Sequence, residues 1–173
     1  MVSRNDAATA SAVTPEPSGS VRPLKAAQVV TDSVQMVGLH KRECTYASDH
    51  PPQLLTFNGV TAWVFAPAVD WEKGWHCSID KARLIMQTDG NFVVYDEDNR
   101  PRWAADTYGE GNYAIFQLDS NLVVYNRNNQ AVGKRSNTCC HVDPYFKLAI
   151  QSDGNVVIYD QNMIPQWATN TAH

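Results

Sequence analysis

From about residue 61 onward, apolar and polar positions alternate with the period of two that places successive side chains on opposite faces of a β-strand. Thr88-Asp89-Gly90 interrupts the alternation and reads as a three-residue hairpin loop, with Gly90 in the left-handed conformation that glycine adopts without a Cβ penalty. In that register Leu84, Met86, Phe92 and Val94 share the inward face, while Gln87, Asn91, Val93 and Tyr95 share the other. The pattern returns twice, turning Ala114, Phe116, Leu122 and Val124 inward in the second copy and Leu148, Ile150, Val156 and Ile158 in the third. All of these inward positions are apolar. A slip of one residue would carry glutamine or asparagine into the core without a partner, so the register is strongly preferred. Ser120 stands where the other loops have glycine, and backbone strain is expected there. No helical period competes, and the predicted class is all-β.

The outward face carries a second regularity. Each copy reads Gln-x-Asp-x-Asn-x-Val-x-Tyr: Gln87, Asp89, Asn91, Val93 and Tyr95; Gln117, Asp119, Asn121, Val123 and Tyr125; Gln151, Asp153, Asn155, Val157 and Tyr159. Core packing asks only that apolar residues recur, so a polar pattern kept three times marks three ligand sites. The glutamines lie 30 and 34 residues apart, which makes each unit one small supersecondary block. After two of the hairpins comes Pro101-Arg-Trp-Ala-Ala-Asp-Thr107 or Pro165-Gln-Trp-Ala-Thr-Asn-Thr171, with tryptophan eight residues after the tyrosine. Trp103 and Trp167 read as core anchors, since burying an indole contributes a few kcal/mol, about 2–3. The middle unit, Gln130 to Thr138, has Gly133 at that count, and Trp63, Trp71 and Trp75 are candidates to fill the space.

Upstream the pattern changes. Residues 1–27 are rich in Ala, Ser, Thr, Pro and Gly and read as a flexible arm. Residues 28–60 read as a partly β extension: Val29, Val30, Val34, Met36 and Val37 indicate a strand, and His50-Pro-Pro52 and Asn58-Gly59 indicate turns. Residues 61–173 form the repeat domain. Of the four cysteines, Cys139 and Cys140 are vicinal and would pair with strain, which leaves Cys44 and Cys77 to bond to that pair or to each other. His76 beside Cys77 and His141 beside Cys140 lack the spacer by which one loop wraps a tetrahedral zinc ion.

Net charge of -4 and a pI near 5.6 argue against nucleic-acid partners and anionic membranes, because both need a basic face. No apolar run is long enough to span a bilayer, so no membrane insertion is expected. The first twenty residues lack the apolar core of a secretory signal, yet action outside the cell or at its surface is expected, by a removed signal or another route. Catalysis is disfavoured: glycosidases use two carboxylates of unlike environment, whereas here one carboxylate recurs in three equivalent settings. Asp96-Glu97-Asp98 reads as a solvated turn, and His40, His50, His76, His141 and His173 follow no metal-ligand rhythm. One Asp and one Asn per hairpin fall short of the six to eight oxygens that calcium takes.

Three such motifs interleaved with Trp-Ala-x-(Asp/Asn)-Thr segments resemble the bulb-type, or monocot, mannose-binding lectin family over roughly residues 61–173. The resemblance implies a β-prism of the second type: three four-stranded sheets about a pseudo-threefold axis, tryptophans near the axis, and a shallow mannose pocket on each sheet. It also implies that the Gln, Asp, Asn and Tyr of each copy bond the sugar hydroxyls, that the Val meets the sugar ring, and that no metal or other cofactor is needed. Mannose-containing glycans are the partners implied, with a homodimer formed by exchange of C-terminal strands. The cysteines do not fall at the family's usual disulfide positions. The residues leave open a second reading, a non-catalytic interaction or structural module with some or all sugar sites silent. In that reading strand addition or residues 1–60 would block a pocket, and those residues would have a protein partner.

Overall fold

The computed structural model describes residues 42–46, 51–139 and 145–173, together with the backbone of 28–31. The expected arm over 1–27, the strand positions Val34, Met36 and Val37, His50, and Cys140 and His141 lie outside these residues. The described strands are β1 (Gln28–Thr31), β2 (Glu43–Tyr46), β3 (Gln53–Phe57), β4 (Val60–Phe65), β5 (Val69–Glu72), β6 (His76–Ile79), β7 (Ala82–Met86) and β8 (Phe92–Tyr95). They continue as β9 (Pro101–Ala104), β10 (Tyr113–Phe116), β11 (Leu122–Tyr125), β12 (Ala131–Val132), β13 (Lys147–Gln151), β14 (Val156–Tyr159) and β15 (Pro165–Ala168). Every pairing between them is antiparallel.

Each motif hairpin, β7–β8, β10–β11 or β13–β14, forms the middle of its own sheet, flanked on one side by the strand that follows it. The other flank is laid down earlier in the chain: β4 pairs with β13, β5 with β10 and β6 with β7. Consecutive strands thus go to three different sheets, and one flank of the second and third sheets is laid down before their motifs are reached. The expected four-strand unit is present in each sheet, and two sheets are longer. β2 and β1 add beyond β6 to give six strands, and β3 adds beyond β4 to give five. A sheet edge offers a row of unpaired N–H and C=O groups, which is what these upstream strands cover. The β3–β4 connection is the Asn58-Gly59 turn read from the sequence, with φ of 52° and 80°. Two left-handed residues give the primed turn whose twist matches a two-residue hairpin.

All of the predicted inward residues are buried in one shared core. Opposed pairs such as Leu84 with Val94, Ala114 with Val124 and Leu148 with Ile158 show that the predicted register holds in each sheet. The tryptophans divide differently from expectation. Trp63, Trp71 and Trp75 are buried, with Trp71 stacked on Trp75 at 4.5 Å and met edge-on by Phe65 at 5.3 Å. Trp103 and Trp167 are half-buried and meet edge-to-face at 5.6 Å, packed against the core rather than within it.

Gly133 does not hold the position of a missing tryptophan. Trp103 lies opposite Val94 and Trp167 opposite Ile158, whereas Val132 lies opposite Val124. The first and third sheets have an irregularity in register beside the tyrosine, and the middle one pairs Tyr125 with Ala131 without it, so counting from the tyrosine overshoots by one. Val132 is the counterpart, and the space is taken up by chain: a Cβ on Gly133 would come within 2.2 Å of the Ala105 carbonyl oxygen.

Cys44 and Cys77, opposed on β2 and β6, form a disulfide with each other. Around it the Thr45 hydroxyl donates to the His76 carbonyl at 2.8 Å and accepts from the His76 N–H, and Arg42 forks onto the Asp80 carboxylate. A second tie joins the third hairpin to the first sheet. His173 donates its backbone N–H to the Asp153 carbonyl, Nδ1 to the Thr171 carbonyl and Nε2 to Glu97 at 2.8 Å. Both ring nitrogens face acceptors, so Thr171 and then Glu97 hold the His173 pKa above its ordinary 6.5, and His173 holds Glu97 below its ordinary 4.5.

Two predictions follow from these ties. Replacing Cys44 and Cys77 together by serine should lower unfolding stability by about 2–4 kcal/mol, as closure of a loop of this length implies; denaturant titration against wild type reads it. The His173 contribution is full below about pH 6.5 and lost as pH rises through the raised pKa; that of Glu97 is full above about pH 4.5 and lost as pH falls through the lowered one. Wild type should therefore melt higher near pH 5.5 than near pH 8.5 by a small, salt-screened increment that Glu97→Gln reduces without abolishing, because the Thr171 carbonyl still accepts from Nδ1.

Candidate functional site

The three hairpin loops share one hydrogen-bond frame. The glutamine N–H donates to the asparagine carbonyl at 2.9, 2.8 and 2.8 Å, and the N–H of Gly90, Ser120 or Gly154 donates back to the glutamine carbonyl. These three residues have φ of 92°, 72° and 95°, so Ser120 does hold the left-handed conformation expected to strain it. The motif aspartate belongs to this frame. Its Oδ1 accepts the N–H two residues on, at 2.9 Å from Asn91, 3.0 Å from Asn121 and 3.0 Å from Asn155. One carboxylate oxygen therefore closes the loop, and the other keeps its full acceptor capacity.

The amides are fixed just as firmly. Gln87, Gln117 and Gln151 donate Nε2 to the hydroxyls of Tyr95, Tyr125 and Tyr159 at 2.8, 3.0 and 2.7 Å. Because each tyrosine oxygen accepts that bond, its own proton is available to a further acceptor. Asn91 Oδ1 accepts from the Thr107 N–H at 3.0 Å, and Asn155 Oδ1 from the Thr169 hydroxyl at 3.1 Å and the Thr171 N–H at 3.2 Å. Asn121 Oδ1 instead accepts from the Ser136 hydroxyl at 2.9 Å. The amide that remains to each asparagine is its Nδ2 donor.

Thr107, Ser136, Thr138, Thr169 and Thr171 are thus site residues that the sequence reading missed. The signal was the repeated Asp/Asn-Thr ending, which stood beside the tryptophans and was noted without a role. Asp106, Asn137 and Asn170 all have positive φ, 59°, 55° and 57°, where Asp and Asn are tolerated better than other side chains. That left-handed step delivers the next threonine to the loop. Thr107, Thr138 and Thr171 donate their hydroxyls to the carbonyls of Gly90, Ser120 and Gly154. Asp96, read as part of a solvated acidic turn, is buried: its Oδ1 accepts the N–H groups of Asp98 and Arg100, and Asn126 and Asp160 do the same in the other units. It shapes a turn.

All fifteen motif residues fall into these three clusters, one per sheet. Val93, Val123 and Val157 are 2–3% exposed yet stand outside the common core, so they form the floor of the cluster. The rims differ. The Arg83 guanidinium lies 5.0 Å from the Tyr95 ring centroid, Tyr113 stacks on Tyr125 at 5.5 Å, and Phe57 meets Tyr159 edge-on at 5.8 Å. Gln151 is 4% exposed where Gln87 and Gln117 are half-buried. Burial holds the Tyr113 hydroxyl above its ordinary pKa. Each motif contributes one carboxylate, and Cys77 is spent in the disulfide. The chemistry offered is a fixed set of hydrogen-bond donors and acceptors over an apolar floor, which suits recognition of a polyhydroxylated ring.

No family model matches the chain. Among proteins of known name, a mannose-specific lectin of Aloe arborescens is 42% identical over 90 residues, 51% of this chain and 78% of that one. Among solved structures, a monomeric monocot mannose-binding lectin from Gastrodia elata shares 32% identity over 64% of this chain and 98% of its own, with a TM-score of 0.57. The agglutinin of snowdrop, Galanthus nivalis, solved with methyl α-D-mannoside, shares 34% identity over 64% of this chain and 97% of its own, with a TM-score of 0.51. With its three antiparallel sheets and threefold loop frame, the chain belongs to the bulb-type, or monocot, mannose-binding lectin family and has that family's β-prism II fold.

Proposed function

We propose that the chain binds mannose and mannose-rich glycans, without a metal ion, at the three Gln-x-Asp-x-Asn-x-Val-x-Tyr clusters. The observation that carries the reading is the threefold frame itself. In each copy Asp Oδ1, Asn Oδ1 and Gln Nε2 are spent inside the protein, which fixes Asp Oδ2 and Gln Oε1 as acceptors and Asn Nδ2 and the Tyr hydroxyl as donors. Sugar hydroxyls both donate and accept, so adjacent ones match such a set, and the bond to the carboxylate is charge-assisted. The axial 2-hydroxyl of mannose reaches Asp and Asn; the equatorial one of glucose leaves them poorly paired and binds less well. The names of the Aloe relative and of the snowdrop complex support mannose as the ligand. Open, solvated sites of this kind bind single sugars weakly, about millimolar or roughly -4 kcal/mol each, and branched glycans gain from valency.

Calorimetric titration with methyl α-mannoside in the presence of a chelator should give metal-insensitive heat. The joint variant Asp89→Asn, Asp119→Asn, Asp153→Asn keeps an Oδ1 acceptor for each loop and removes the charge, so it should fold like wild type and lose the heat. Binding undiminished in that folded variant would sink the reading. Ser136→Ala should weaken the second site alone, because Asn121 is held by the Ser136 hydroxyl, whereas Asn91 is held by the Thr107 N–H and Asn155 by the Thr169 hydroxyl and Thr171 N–H. The stoichiometry should fall by one site, with a stability loss of about 1–3 kcal/mol from the Leu122 N–H left unbonded, read by thermal melting.

A further inference from the structure

The tyrosines that close the three sites are backed in different ways. Tyr95 and Tyr125 are backed by their own cross-strand neighbours, Arg83 and Tyr113. The cross-strand neighbour of Tyr159 is Lys147, and its ring contact comes from Phe57 on β3, a strand separated from β14 by β13 and β4. The path between them is cleared by small side chains. Ala149 lies opposite Val157 where Ile85 lies opposite Val93 and Ile115 opposite Val123. Ala62, Val64 and Ala149 form a buried apolar cluster of their own, on which Phe57 and Tyr159 both pack. An isoleucine at 149 would fill the space into which the Phe57 ring reaches.

We propose that Phe57 is a positioning residue of the third sugar site, so that the upstream strand β3 is a working part of that site. The Phe57 ring, perpendicular to that of Tyr159, holds it against the Ala62, Val64 and Ala149 cluster, and the hydroxyl so placed accepts the Gln151 Nε2 at 2.7 Å. Without the ring, Tyr159 loses its backing on one side and Gln151 the fixed hydroxyl to which it donates, and both become free to leave the sugar-binding geometry. Ser152 ties the same hairpin to the loop: its N–H donates to the Thr61 carbonyl and its hydroxyl accepts the Thr61 N–H. The inference rests on the mannose reading above, and it makes the three sites unequal in one testable respect.

The test isolates single sites in the full chain. Asp89→Asn with Asp119→Asn leaves the third site, and Asp119→Asn with Asp153→Asn leaves the first; methyl α-mannoside affinity is then followed by NMR titration. Adding Phe57→Ala should weaken the third site roughly three- to tenfold, as loss of an aromatic pair implies, and leave the first within about twofold. Phe57→Leu, which keeps apolar volume without the ring, should act in the same direction, and Phe57→Tyr should restore the affinity. Unchanged affinity at the third site, or an equal loss at both sites, would overturn the positioning role; the first site doubles as the folding control. No mannose binding by wild type or by either single-site protein would overturn the mannose reading itself, and this inference with it.

Discussion

Everything in the three sites depends on the closure of the motif hairpins. The glutamine and asparagine backbones pair across a three-residue loop, the left-handed residue completes the turn, and the aspartate side chain accepts the N–H that would otherwise be left exposed in the loop. That closure sets the register, and the register sends one set of side chains to a common core and the next set to the surface. Shifting one hairpin by one residue would bury its amides without partners, so the register that fills the core is also the one that assembles the cluster.

The second dependence is on a segment that carries no motif residue. Asp106, Asn137 and Asn170 take a left-handed backbone conformation, and the threonine after each hooks the carbonyl of the loop. The same segments supply the donors that fix the asparagine amides: a backbone N–H in the first copy, a serine hydroxyl in the second, and a threonine hydroxyl with a backbone N–H in the third. An amide whose oxygen is already bonded can offer only its nitrogen outward, which is how a symmetric-looking side chain acquires a direction. The cluster is thus prearranged by bonds made behind it, which lowers the ordering cost that any ligand would otherwise bear.

The sheets are alike in their inner faces and unlike at their edges. The first is extended by two strands, of which β2 is pinned through a disulfide and flanked by a fork between Arg42 and Asp80, the third by β3 across a two-residue turn, and the second not at all among the described residues. An extra strand on a sheet edge reaches the outward face, where the sites lie, more readily than the shared core. In the third cluster the difference enters through such an edge strand, β3, whereas Arg83 and Tyr113 distinguish the other two from within the hairpins.

How much was legible in the chain follows from the range of each interaction. Period two, the loop triplets and the repeated polar set are local, so the sequence by itself determined the all-β class, the twelve inward residues, the three hairpins, the Asn58-Gly59 turn and which side chains gather in each cluster. Counting from the tyrosines misplaced the missing tryptophan at Gly133, because an irregularity in pairing changes register without leaving a mark in composition. Likewise the indoles at 103 and 167 read as core anchors and do pack against the core, but full burial goes to Trp63, Trp71 and Trp75. Only the tertiary structure decided that β4, β5 and β6 complete three different sheets, that Cys44 bonds Cys77, that threonines far along the chain orient the asparagines, and that Phe57 reaches Tyr159. Those are contacts between residues remote in sequence, and no local pattern encodes a partner that only the folded chain brings within a few ångströms.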